Sequence, residues 1–300
     1  MSGHLPRRLW WLLAGLTLIW GFNWTAMKVA LAELPPLSFR GICLAAAAGL
    51  LFAYLRLTRQ KIAIPRSYWR PLLLISLFNI TCWNLLVTYG LRLVPAGRAA
   101  ILAYTMPAWA IPLSIAVLGE RLDGRKLVGF ALGMCAMILL LWDEFGRLSG
   151  APLGATLVLG GALSWALATI LQKKYPISAP LPAMTAWMML IGGVPIYLGA
   201  LVFDLRHAIE AGRISIGLWP ALATAYNIVF AFAWAQWACM RLVTSVSVTV
   251  FSLSMLVVPL VGVLSGMLFL GERPGWTEYG ALLLVLGSLL SVAVPRRVPG

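Results

Sequence analysis

Three of the four asparagines inside the long apolar runs have aromatic residues at helical spacing. Asn23 lies between Trp20 and Trp24, so the three share one helix face at i, i+3 and i+4. Asn79 has Trp83 four residues on, and Asn227 is followed by Phe230 and Trp234 at i+3 and i+7. Trp165 stands eight residues before Lys173, as Trp20 stands eight before Lys28. An amide beside a flat apolar wall can hydrogen-bond and stack, but it makes and breaks no covalent bonds. That chemistry suits holding a small zwitterion or amide that carries a ring. Trp20, Asn23, Trp24, Asn79, Trp83, Trp165, Asn227 and Trp234 are therefore the candidate substrate-binding residues. A second reading is open for Asn79 and Asn227: interhelical glue, worth on average about 0.6 kcal/mol per pair in a membrane.

Bond-making chemistry finds no footing. Cys43, Cys82, Cys135 and Cys239 have neither CxxC spacing nor a neighbouring His, and His4 and His207 fall outside the apolar runs. No metal, disulfide framework or cofactor is expected. An intramembrane enzyme would need a nucleophile with a base, or clustered metal ligands, at one depth, and neither is present. No Asp or Glu lies near the middle of an apolar run, and no basic residue is expected at a depth where it could hold a phosphate. A channel would need rings of charge or ordered carbonyls.

The elements that position these residues follow from composition. Apolar residues make up 61% and charged residues 11%, against about 45–50% and about 25% in soluble domains. Lipid must cover much of such a chain. Apolar runs near 9–31, 36–58, 69–91, 96–119, 125–142, 152–173, 181–204, 217–241, 244–271 and 275–294 predict an all-α polytopic membrane protein of ten spans. Arg7-Arg8 and the first run imitate a signal peptide, but the run is too long for one, and the first helix is expected to be retained. The net charge of +14 is spread over short loops and reads as the positive-inside rule, with no nucleic-acid partner. With a cytoplasmic N-terminus, 15 of the 23 basic residues fall inside and 8 outside, so both termini are placed in the cytoplasm. Trp10, Trp11, Trp69, Trp142, Trp219 and Trp276 sit at span ends, where belt residues belong.

The chain also repeats itself. Leu118-Gly119-Glu120-Arg121 recurs as Leu270-Gly271-Glu272-Arg273, with Pro107 and Pro259 each 13 residues before the Glu. Phe78-Asn79-Ile80 has a counterpart in Tyr226-Asn227-Ile228. Two five-helix halves, 1–146 and 147–300, are expected, and because five is odd the second is inverted. Pro107 and Pro259 interrupt their helices and read as paired hinges, or as static kinks. Glu120 and Glu272 read as solvated end pairs with Arg121 and Arg273, or as a gate latch. Gly129 and Gly133, with Gly280 and Gly287, mark close helix packing.

The proline-to-Leu-Gly-Glu-Arg segments at 107–121 and 259–273, and the small-residue helices that follow them, resemble the drug/metabolite transporter superfamily. Nearly the whole chain is similar to its ten-helix type with two tandem EamA-like domains, and most similar to bacterial aromatic amino-acid exporters. The resemblance implies alternating access around a central cavity, an amino acid or related metabolite as substrate, and a multi-pass place in the bacterial cytoplasmic membrane. A monomer is favoured. Uncoupled facilitated diffusion is the expected mode, with proton-coupled efflux through Glu33, Glu120 or Glu272, or a channel-like pore, as alternatives.

Overall fold

The computed structural model describes residues 7–119, 124–146, 152–204, 216–245 and 257–293. Among the described residues there is no strand, and the chain forms ten helical segments. These are α1 (Arg7–Ala30), α2 (Pro36–Leu57), α3 (Arg66–Leu93), α4 (Ala96–Leu118) and α5 (Gly124–Gly146). There follow α6 (Pro152–Lys174), α7 (Leu181–Asp204), α8 (218–245), α9 (Val257–Leu270) and α10 (Trp276–Ala293). Six of them, α2, α3, α4, α6, α7 and the 218–239 part of α8, are long and apolar enough to cross a membrane; α9 and Leu127–Leu140 are shorter apolar helices. A helix meets its own backbone hydrogen-bonding demand, which is what allows such segments to lie in lipid.

Local chemistry sets the boundaries. Prolines stand at the N-caps of α2, α4 and α7 (Pro35, Pro95, Pro180), where their missing N–H costs nothing. The α8 helix runs through Ser245, so the turn expected at 242–243 is absent. Gly119 and Gly271 close α4 and α9 in the left-handed conformation, each at φ +65°. The two copies of Leu-Gly-Glu-Arg thus end their helices in the same way, at a conformation that favours glycine.

Packing follows a pattern in which partners exchange when each helix number is shifted by five. Helix α1 packs on α8 and α9, and α6 packs on α3 and α4. The α2 helix packs on α7 and α8, and α7 on α2 and α3; α4 meets α9, and α5 meets α10. The first half of α4, Ala96–Ala103, is buried on every side. Small residues permit the approach: a Cβ on Gly21 would stand 2.4 Å from Val261, fixing α1 against α9. Gly133 lies as tightly on Ala108, and Gly280 and Gly287 face Leu139 and Leu132, so the glycines of α5 and α10 serve close packing. Apolar rings and chains cover the outside, and Trp11, Trp142, Trp219 and Trp276 are all more than seven-tenths exposed near helix ends. Trp69 differs: it is half-buried, edge to face with Trp187 at 5.5 Å.

Candidate functional site

Two helices change their winding at matching places. The α3 helix widens into a π-helix over Leu77–Cys82 and α8 over Asn227–Trp234, so Asn79 and Asn227 both sit on π segments. Such segments leave backbone carbonyls in need of donors, and they cluster at functional sites. Here the first helix of the opposite half supplies the donor. Trp20 Nε1 donates to the Ala231 carbonyl at 3.3 Å, and Ser164 Oγ, next to Trp165, donates to the Phe78 carbonyl at 2.7 Å.

The other candidate residues divide between three places. Asn227 is fully buried, donating to the Ala223 carbonyl at 3.0 Å, and Asn23 donates to the Met27 sulfur at 3.2 Å. Trp83 and Trp165 stack edge to face at 4.9 Å across the α3–α6 contact. Trp24 is buried towards Gly262 of α9, and Trp234 lies over Gly15 of α1. Asn79 is buried on the π segment of α3. The α4 helix breaks at a turn over Tyr104-Thr105, two residues before Pro107. Pro259 is buried in the first described turn of α9.

One expectation is overturned. No basic residue is expected at depth from the sequence, yet Arg40 is 3% exposed and reaches into the bundle. Its Nε donates to Thr88 Oγ1 at 2.7 Å and its Nη2 to the Met27 sulfur at 2.8 Å, and Nη1 lies 3.5 Å from Asn227 Oδ1. The guanidinium also lies over Phe39 and Phe232, at 5.0 and 5.7 Å from their centroids. The sequence did carry a signal. Arg40 stands five residues after Pro35 and Thr185 five after Pro180, so one half holds a cation where the other holds a hydroxyl.

The end where α1, α3, α7 and α9 finish, and α2, α4, α8 and α10 begin, is called the capped end. Four carboxylates among the described side chains stand there, and each joins one half to the other. Glu33 accepts from the Gly217 amide at 2.7 Å, and Asp204 from the Ser38 amide at 2.7 Å. Glu272 accepts from the Ala96 and Gly97 amides at 2.5 and 3.0 Å, so its partner is the start of α4 and not the neighbouring Arg273. Helix N-termini favour such anions. Glu278 forms a buried salt bridge with Arg98, receiving Nε at 2.8 Å, while its other oxygen accepts from the Gly275 amide and the Thr277 hydroxyl. Lys28 donates to the Leu91 carbonyl at 2.7 Å and to that of Val94, capping α3. Glu120 lies outside the described residues. A cleft of about 590 Å³ opens beside Lys28, Glu33, Arg92 and Trp219, and one of about 220 Å³ at the opposite end beside Gln60, Thr185, Gln236 and Arg241.

The chain matches the EamA-like transporter family twice, over residues 9–142 and 152–294. It is 31% identical to the inner membrane transporter YedA of Escherichia coli, covering 96% of this chain and 94% of that one. It is 28% identical to the "probable amino-acid metabolite efflux pump" of Escherichia coli, covering 92% of each. A solved structure described as "Crystal structure of protein" superposes with a TM-score of 0.67 at 17% identity, covering 96% of this chain and 97% of that one, which extends the likeness to the fold. With two family repeats spanning nearly its whole length, the chain belongs to the EamA-like transporter family of the drug/metabolite transporter superfamily and is a membrane transporter.

Proposed function

We propose that this transporter exports small metabolites, with aromatic and other apolar amino acids as leading substrates, by alternating access and without a coupling ion. The carrying observation is the pair of π segments at Asn79 and Asn227, each bound by the first helix of the opposite half. Paired discontinuities at a repeat interface are the usual setting of a transporter's substrate path. Ten membrane crossings arranged as inverted halves, 1–146 and 147–300, fit the exchange of packing partners under a shift of five. With both termini in the cytoplasm of a bacterium, the capped end faces outwards. Trp20, Asn23, Trp24, Asn79, Trp83, Trp165, Asn227 and Trp234 line the path, Pro107 and Pro259 act as hinges, and Glu272 latches the outer gate. A monomer suffices, since the path lies within one chain. The relative described as an amino-acid metabolite efflux pump supports the substrate class. The positions of the four described carboxylates, all at the capped end, support uncoupled movement.

Uptake of labelled tryptophan and phenylalanine into proteoliposomes, with and without an imposed pH gradient, tests this. Saturable uptake with counterflow, indifferent to the gradient, is the expected result. Collapse of uptake without the gradient would sink the uncoupled mode, and flux that never saturates would sink alternating access. Trp20→Ala and Asn79→Ala are expected to weaken apparent affinity; unchanged affinity in both would remove them from the path.

A further inference from the structure

Arg40 is a cation whose surroundings supply no anion. Of its three hydrogen bonds, only that to Thr88 Oγ1 at 2.7 Å is firm. The Met27 sulfur is a weak acceptor. The contact with Asn227 Oδ1, at 3.5 Å, is at the limit of hydrogen bonding. Phe39 and Phe232 offer ring faces, which attract a cation but do not neutralise it. No carboxylate among the described residues pairs with it. The fold does not need a cation at this point, since Thr185 fills the corresponding register of the second half and is equally buried.

Next to this cation lies an unfilled acceptor. Asn23 Oδ1 is buried without a partner among the described residues, while Asn23 Nδ2 donates to the same Met27 sulfur that Arg40 reaches. One thioether thus lies between a guanidinium lacking an anion and the amino group of an amide whose carbonyl lacks a donor. Methionine is unbranched and flexible, and can swing aside where a branched side chain could not.

We propose that Arg40 binds the carboxylate of the transported substrate, and that Asn23 Oδ1 accepts its ammonium. The two form the head-group site of an α-amino acid that displaces Met27. The guanidinium fork matches a carboxylate in a bidentate pair. Asn227, already against Nη1, orients it. This deepens the reading of the chain as an amino-acid exporter and rests on it.

The test is competition against labelled L-phenylalanine in proteoliposomes by L-phenylalanine, by 3-phenylpropionate, which lacks the ammonium, and by L-phenylalaninamide, which lacks the carboxylate. Wild type is expected to prefer the amino acid over the amide at least about tenfold, the size of a lost hydrogen bond to a charged group. Arg40→Met should bring that ratio close to one, and Arg40→Lys should leave an intermediate preference. An unchanged ratio in Arg40→Met would overturn the assignment while leaving amino-acid export intact. Should wild type move no amino acid, export fails, and the site is judged by thermal unfolding of the detergent-solubilised proteins. Stabilisation of wild type, but not of Arg40→Met, by 3-phenylpropionate over 3-phenylpropionamide would still support Arg40. Equal effects of the two ligands on wild type would overturn it.

Discussion

Arg40 and Arg98 are equally buried, at 3% exposed, and each lies in the first two turns of a helix that begins at the capped end. Arg98 meets Glu278, whose carboxylate is satisfied on both oxygens by Arg98, Gly275 and Thr277. Arg40 meets a hydroxyl, a sulfur, an amide and two rings. The charge is neutralised where α4 is held to α10 and left open where α1, α2, α3 and α8 converge. A paired buried arginine fixes two elements together, whereas an unpaired one keeps its strongest interaction available for a ligand.

The largest effect is expected from breaking the neutralised pair. Glu278→Gln leaves Arg98 buried without its anion and should lower stability by about 3–5 kcal/mol, read from denaturant unfolding followed by tryptophan fluorescence. A loss below about 1 kcal/mol would mean that the pair is solvated and the contrast is false. The reverse experiment gives Arg40 its own anion. Met27→Glu should pair with the guanidinium, leave the protein folded and cut phenylalanine uptake at least about tenfold, since an internal carboxylate then competes with the substrate. Normal uptake in that variant would break the comparison. Glu272→Ala removes a cap and should cost about 1 kcal/mol in the same unfolding assay, an intermediate value. Smallest of all is Arg40→Met, which exchanges an unneutralised charge for an apolar chain. Its stability should stay within about 1 kcal/mol of wild type, although substrate selectivity is lost.

The helices are legible because apolar run length and proline punctuation are local signals, and Asn79 and Asn227 stand out as amides in apolar runs. Their π winding was not legible, since the donors to its carbonyls, Trp20 and Ser164, come from the other half of the chain. Arg40 was missed because α2 is apolar around most of its circumference, so the sequence did not reveal which face turns inward. A long basic side chain near a helix end is ordinarily read as reaching back to the interface. Only the mismatch with Thr185 across the repeat pointed to it. Sequence adjacency pairs Glu272 with Arg273, yet its partners are main-chain amides 175 and 176 residues away, and a backbone amide leaves no trace in residue type.

The carboxylates that grip main-chain amides carry a consequence for how this protein can be repaired by mutation. Across the two halves Glu278 faces a side chain, in addition to the Gly275 amide of its own half, so exchanging the two charges, Glu278→Arg with Arg98→Glu, offers a route by which one lesion compensates another. Glu33, Asp204 and Glu272 face peptide groups, which every non-proline residue presents alike. No substitution on α2, α4 or α8 can supply a complementary charge to a lost cap through that contact. A selection for suppressors should therefore return second-site revertants of Glu278 lesions at position 98, but same-site revertants for the three caps.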